Sequence, residues 1–315
     1  MTPLPRTATM VAMDPSDHQR AAKLGENTAA HAPAEKAELP YVLIEPIRRT
    51  APLIFASPHS GRRYPADLLA NARVGLLSLR RTEDAYVDEL FASAAAHGAC
   101  VLSAAVARAY VDLNRDPAEL DPDMFDERPQ QHGALPSARV QAGLGAIPRI
   151  SGDGQSIYRR KLAWSDGQSR IAAIHRPYHA MLQNLVDETK AMFGCAVLID
   201  CHSMPSSARG AHAPDIVLGD RFGVSCHASI TALAEATLRK LGYRVARNTP
   251  FAGGHTTQTY GRPTQHTHAL QIEINRALYV DERTLERTAG FARIRGDMSR
   301  LSEALSAAAL HKSLA

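Results

Sequence analysis

Short apolar runs of strand length recur along this chain. They are YVLIEPI (Tyr41–Ile47), PLIFASPH (Pro52–His59), CVLSAAVA (Cys100–Ala107), AVLIDCH (Ala196–His202), DIVLGD (Asp215–Asp220) and ALQIEIN (Ala269–Asn275). Most are apolar at consecutive positions, so both faces of such a strand need cover. The segments between them have helical period. Val87, Leu90, Phe91 and Ala94 form one stripe of EDAYVDELFASAAAHG, and from Ser169 to Phe193 so do Ile171, Ile174, Tyr178, Met181, Leu182, Leu185 and Val186. Further helices are expected over Ser225–Leu241 and from Glu282 towards the C-terminus. Buried strands alternating with amphipathic helices predict an α/β fold, a central sheet covered on both sides.

No break in this pattern calls for two domains. Residues 1–39 are rich in Ala, Pro and charge and lack sustained periodicity, which predicts a loose arm before a domain spanning 40–315. Asp116–Asp166 is rich in Pro, Gly, Asp and Gln. It reads as an irregular insertion, the kind of long excursion that usually serves function. The net charge is only +4, and no Lys/Arg stripe interleaves with aromatics, which argues against nucleic acid. Four cysteines without a C-x-x-C pair make neither a disulfide framework nor a thiol-rich zinc site. No apolar run approaches the ~20 residues of a membrane helix, and the first forty residues hold no secretory h-region. A soluble cytoplasmic protein is expected. The fourteen histidines point towards metal chemistry, since imidazole is the commonest metal ligand.

Four polar clusters sit at or just after apolar runs: SPHSG (Ser57–Gly61), YVDLNRDP (Tyr110–Pro117), IDCHSMP (Ile199–Pro205) and GGHTTQTYGRP…HALQIEINR (Gly253–Arg276). Ligands of open α/β sheets gather beyond the carboxyl ends of strands, so these clusters have the placement to converge. His59 and His202 each end a strand-like run before a small residue. Two such histidines and one carboxylate would meet the three-ligand requirement of a catalytic zinc; the plainer alternative is two hydrogen-bonded structural histidines. Glu83, Asp84 and Asp88, at the expected start of a helix, are candidates for the carboxylate, and charge at a helix N-terminus is their ordinary role.

In ALQIEIN, Leu270, Ile272 and Ile274 alternate with Gln271, Glu273 and Asn275, so one face is apolar and the other polar. Glu273 is thus placed to act as a general base, unless the strand is an edge with a solvated outer face. Asn114-Arg115, at another strand end, suits a carboxylate substrate, because guanidinium grips both oxygens. The alternative is an ion pair of Arg115 with Asp112 or Asp116.

The ordered set SPHSG, EDAYVDELF, YVDLNRDP, IDCHSMP, PDIVLGDRFGVSC and FAGGHTTQTYGRP…HALQIEINRALY resembles the N-formylglutamate amidohydrolase (N-formylglutamate deformylase) family. The resemblance runs from about residue 52 to residue 280. It implies a zinc-carboxypeptidase-like (phosphorylase/hydrolase-like) fold, a single domain with a mixed sheet between helices. It also implies cleavage of N-formyl-L-glutamate to formate and glutamate in histidine breakdown. Carried over residue by residue, it places one zinc on His59, Asp84 and His202, with Glu83 and Asp88 as other acidic choices. Glu273 becomes the base, Asn114 and Arg115 the clamp on the substrate carboxylate, and Gly254, Tyr260 and His268 the pocket lining. Zinc carboxypeptidases carry a Glu three residues after the first His. Here that position is Arg62, so the acidic ligand must come from elsewhere.

Histidine and carboxylate suit zinc, and also iron, cobalt or manganese. Cys201 beside His202 raises a rival, a thiol nucleophile. Adjacent strand residues point to opposite faces, so another histidine would have to serve it. An amidase of the same fold acting on another N-acyl amino acid or a short peptide, and a non-catalytic binder of acidic ligands, are the remaining alternatives.

Overall fold

Seven strands among the described residues pair into one mixed sheet. They are β1 (Tyr41–Ile44), β2 (Leu53–Ser57), β3 (Cys100–Ala104), β4 (Ala196–Met204), β5 (Ile216–Gly219), β6 (Val245–Arg247) and β7 (Thr267–Asn275). Their spatial order is β1-β3-β2-β4-β7-β5-β6. The four strands β3, β2, β4 and β7 run parallel; β1 is antiparallel at one edge, and β5 turns antiparallel against β7. The computed structural model describes residues 38–127, 137–206 and 213–310, and from Leu39 onward the chain is one compact unit. The arm expected over 1–39 falls almost wholly outside the described residues.

Helices fill the connections. Between β2 and β3 lie α1 (Ala66–Asn71), α2 (Leu76–Arg80) and α3 (Val87–Phe91). Between β3 and β4 lie α4 (Ala138–Gln141), α5 (Trp164–Arg170) and α6 (Arg176–Phe193). Then come α7 (Ala228–Lys240), α8 (His255–Tyr260) and the closing α9 (Gly290–Leu310).

The alternation of side chains along each strand divides the core in two. On one face, Phe55, Ile199, Leu270 and Ile272 pack with Leu90 and Phe91 of α3, Ile230 and Leu238 of α7, and Ile294 and Leu301 of α9. On the other, Ile54, Leu102, Leu198 and Ala269 meet Tyr178, Leu182 and Leu185 of α6. Each such fully buried large side chain contributes roughly 1.5–3 kcal/mol. The insertion over 116–166 is not a bare loop: Leu120, Met124, Phe125, Ile147 and Leu162 are buried in this second core.

Some expected elements change at their ends. The helix read from Ser169 starts at Trp164 and passes through one π turn, Ile171–His175, before α6. The helix read from Glu83 does not begin there. Tyr86 has φ 62, the left-handed region, so α-helix exists only over Val87–Phe91, followed by a 3₁₀ stretch Ala92–His97. β1 stops at Ile44, shortly before Pro46, which has no N–H to give a ladder.

Candidate active site

The last residues of β4 and β7 turn an apolar sheet face into a polar one. On β4, Ala196 and Leu198 belong to the core under α6, and Asp200 and His202 continue the same face. On β7, Ala269 is followed on that face by Gln271 and Glu273. The register sets Asp200 opposite Gln271 and His202 opposite Glu273. β7 lies inside the sheet with every residue buried, so its polar face is not that of a solvated edge.

His59 comes in just beyond β2, and its carbonyl accepts from Asp84 N at 3.0 Å, which ties the Asp84 turn to the strand end. Asp84 Oδ2 lies 3.2 Å from His59 Nδ1 and 2.9 Å from His202 Nδ1, and the two Nδ1 atoms are 3.1 Å apart. All three side chains are buried. Behind them stand two more acids. His59 Nε2 donates to Asp112 Oδ1 at 2.7 Å, and Asp200 Oδ1 lies 3.0 Å from His202 Nε2. That Asp200 oxygen is buried without a hydrogen bond. Asp112 favours the proton on His59 Nε2 and so turns the His59 Nδ1 lone pair towards Asp84, whereas His202 Nε2 accepts from Asn114 Nδ2 and its ring proton sits on Nδ1, facing Asp84 Oδ2. These three donor atoms lie close enough to share one ion in place of that proton. Bonds of ~2.0–2.1 Å to a tetrahedral zinc need ligand edges of roughly 3.3 Å, so the triangle fits a metal ion. A carboxylate on the far nitrogen of a ligating imidazole is the usual support of such a site.

Electrostatics point the same way. Burial pushes the Asp84 carboxyl up, but the hydrogen bonds to His202 and His59, with the charges of His59 and Arg276, reverse this and hold it well below the usual range. Burial opposes charge on His202, and Asp200 and Asp84 overcome it, raising its basicity well above the ordinary value. Glu273 behaves oppositely: burial, helped by Asp84 and Asp200 against the opposing charges of His202 and Arg276, lifts it to about 7. Gln271 Nε2 donates to Glu273 Oε1 at 2.8 Å, leaving Oε2 for a proton.

Of the three acids considered for the triangle, only Asp84 reaches it. Glu83 bonds Tyr64 and Arg80. Asp88 pairs with Arg62, the residue in the position where zinc carboxypeptidases have their Glu. The other oxygen of Asp84 accepts from Arg276 at 2.7 Å. Asp112 receives Arg108 at 2.9 Å as well as His59. Nothing in the sequence marks Asp112, Arg108 or Arg276 as a site residue, although each falls within or next to a polar cluster.

Asn114 is held by several protein partners. Its Nδ2 lies 3.0 Å from His202 Nε2 and 3.3 Å from Asp200 Oδ2, and its Oδ1 accepts from Thr256 N at 2.8 Å. The amide braces His202 from the wall of the cavity, which Asn114 lines. Gly254 faces it: a Cβ there would meet the Asn114 amide at 2.5–2.8 Å, so only glycine allows this approach. Arg115 is half-buried, its guanidinium held by two backbone carbonyls. It lines a cavity of about 540 Å³ with His59, Asp84, His202, Glu273, Gly254 and four other arginines, Arg81, Arg108, Arg139 and Arg276.

Tyr260 and His268 do not line that cavity. The Tyr260 hydroxyl donates to His179 O at 3.2 Å and lies 2.9 Å from His179 Nδ1, turning the ring to α6. His268 pairs with Val197 near the start of β7, five residues and so about 17 Å along the strand from Glu273. Proximity in sequence to a polar cluster does not carry either side chain to the site. A second imidazole group, His175, His179 and His255, has the residue types of a metal site. Two of its rings are engaged in holding the loop around Asn114: His175 Nε2 donates to Arg115 O at 2.9 Å and His179 Nε2 to Leu113 O at 2.8 Å.

Cys201 is on the other sheet face, within the core under α3, α7 and α9. Burial, with the charge of Asp200, pushes its thiol well above the usual range. It cannot meet the cavity groups, which removes the thiol-nucleophile reading.

Residues 51–280 match the family model of N-formylglutamate amidohydrolase. The N-formylglutamate deformylase of Pseudomonas aeruginosa is 32% identical over 241 residues, covering 75% of this chain and 84% of that one. The N-formylglutamate deformylase of Pseudomonas putida is 32% identical over 244 residues, covering 73% and 82%. The crystal structure of N-formylglutamate amidohydrolase from Ralstonia eutropha JMP134 superposes with a TM-score of 0.82 at 35% identity, covering 87% of this chain and all of that one. A gene product of Agrobacterium tumefaciens, at 16% identity and a TM-score of 0.54, shares the fold.

Proposed function

The chain belongs to the N-formylglutamate amidohydrolase family, and on that premise we propose that it hydrolyses the formyl amide of N-formyl-L-glutamate, giving formate and L-glutamate. The observation that carries this reading is the buried His59–Asp84–His202 triangle set beside Glu273 at the floor of an arginine-lined cavity. His59, Asp84 and His202 would hold a dication, zinc by the chemistry of the donors. When bound, it supplies Lewis acidity, which polarises an amide carbonyl and acidifies a water.

The protein's own groups do the rest. Glu273 Oε2 takes the proton of the attacking water, and the same carboxyl delivers it to the departing amine nitrogen as the C–N bond breaks. A base near pH 7 is well matched to both halves of that exchange. Arg115 holds a substrate carboxylate and thereby fixes the amide's position for attack, a contribution of orientation, not of chemistry. Asp112 and Asp200 orient the two imidazoles, and Asn114 with Arg276 keeps His202 and Asp84 in place.

Among the described residues no helix is long and apolar enough to cross a membrane, and the four cysteines are free thiols. Free thiols are the state a reducing cytoplasm maintains, and we place the enzyme there, acting in histidine breakdown. The test is a panel of N-formyl-L-glutamate, N-formyl-L-aspartate, N-acetyl-L-glutamate and N-succinyl-L-glutamate with the zinc-loaded protein. The reading requires N-formyl-L-glutamate to be cleaved with the highest kcat/KM. Preference for the acetyl or succinyl amide would make it an amidase of another substrate, and no cleavage of any would leave a binding protein.

A further inference from the structure

The five arginines of the cavity divide into two kinds. Arg108, Arg276 and Arg81 are each matched to an acid: Asp112 at 2.9 Å, Asp84 at 2.7 Å and Asp153 at 3.0 Å. Arg115 and Arg139 are not. Arg115 donates Nε to Leu144 O and Nη1 to Asn114 O, both at 3.0 Å. Two carbonyls fix the guanidinium but neutralise nothing, and its Nη2 makes no hydrogen bond among the described residues. Arg139, on α4, makes no side-chain hydrogen bond or ion pair among the described residues, yet it lines the same cavity.

The two are linked through one residue. Leu144 N donates to Arg139 O at 2.8 Å, while Leu144 O accepts Arg115 Nε. Burial lowers the basicity of Arg115, Asp112 opposes this, and the like charges of Arg108 and Arg139 lower it further. Two guanidinium groups without an ion-pair partner among the described residues face one cavity, where they can meet anions. One carboxylate satisfies one of them. A ligand with two satisfies both.

We propose that Arg139 is a specificity-determining residue that holds the side-chain carboxylate of a dicarboxylic N-formyl amino acid, while Arg115 holds the α-carboxylate. The order follows from the chain. Arg115 adjoins Asn114, whose amide touches His202, so it serves the carboxylate on the carbon that bears the reacting amide. Arg139 is exposed at the rim and serves the far end. Arg139 on α4 therefore selects the substrate, and the sheet ends carry the chemistry. This assignment rests on the formyl-amide reading for its substrate.

The experiment compares N-formyl-L-glutamate with N-formyl-L-glutamine, its neutral counterpart of nearly the same shape, in zinc-loaded wild type, Arg139→Gln and Arg115→Gln. Removing one charge-assisted pair from Arg139 lowers kcat/KM for formyl-glutamate roughly 10- to 100-fold, mainly through KM. That loss is at least about tenfold larger than the loss on formyl-glutamine, because the amide never made the contact. Arg115→Gln lowers both substrates alike. An equal loss on both substrates in Arg139→Gln, or no loss on either, overturns the assignment. If wild type cleaves neither compound, the formyl-amide reading fails by itself, and calorimetry with glutarate and butyrate then judges the arginine. Selective weakening of glutarate by Arg139→Gln upholds its role; equal weakening, or none, refutes it.

Discussion

His202 and Glu273 stand directly opposite each other across the ladder of β4 and β7, on the one sheet face that changes from apolar to polar along its length. The relationship puts a candidate metal ligand and a candidate base on two rigid neighbouring strands, where neither loop motion nor rotamer freedom sets their spacing. Glu273→Gln keeps the shape and removes the basic oxygen. Its kcat falls by about 10²- to 10⁴-fold, the usual worth of a positioned base, and its zinc content stays at the wild-type level. Steady-state kinetics with elemental analysis of the same sample checks both. Near-normal turnover would exclude Glu273 as the base.

The pH dependence follows from the same side chain. As a base Glu273 must be deprotonated, so kcat/KM is lost as pH falls through about 7, and a bound dication draws that midpoint lower. The stability sign is the reverse. The folded state holds the Glu273 proton up to about 7, above the ordinary 4.5, so between these values the native protein binds more protons and stability declines as pH rises. Glu273→Gln in chelator is therefore more stable than wild type at pH 8, by on the order of 1–3 kcal/mol, with the gain shrinking towards pH 4.5. Thermal melts at pH 5 and 8 measure this. Equal melting of the two proteins at both pH values contradicts it.

Asp112 and Asp200 stand at the far nitrogens of His59 and His202, where they would orient metal ligands. Asp112→Asn and Asp200→Asn each weaken zinc affinity by about 10- to 100-fold, because each imidazole loses the negative charge beside its far nitrogen. Competition with a chromogenic chelator reads the affinity directly. Unaltered affinity in both variants would show that the acids merely fill space.

Much of this site was legible in the sequence because a polar side chain buried in a strand is costly until a hydrogen-bond partner or a ligand satisfies it. His59, His202 and Glu273 announce themselves by breaking apolar runs, and all three arrive together. Asp84 could not be chosen over Glu83 and Asp88 by spacing. The choice depends on the left-handed Tyr86, which stops the helix from starting earlier and sends three neighbouring acids in three directions. Tyr260 and His268 show the converse error. Both neighbour polar motifs, but His268 lies five strand residues, at about 3.3 Å each, from Glu273, and Tyr260, at the end of α8, is turned to His179. Arg139 carried no signal, since an irregular insertion has no period from which a facing direction can be read.

Cys201 lies one residue from His202 and on the opposite side of the sheet. Cys201→Ala therefore retains turnover within a few fold of wild type and costs about 1 kcal/mol or somewhat more for the small cavity it leaves. Loss of activity in a variant that melts normally would return the thiol to the mechanism.

The most direct test is formate release from N-formyl-L-glutamate by the protein as purified, after exhaustive chelation, and after reloading with one equivalent of zinc. Metal-assisted hydrolysis at the His59–Asp84–His202 triangle predicts formate and glutamate in equal amounts, loss of turnover on chelation, and recovery with zinc in wild type but not in His202→Ala. Turnover that survives removal of all metal, or a zinc-loaded protein that releases no formate, would contradict it.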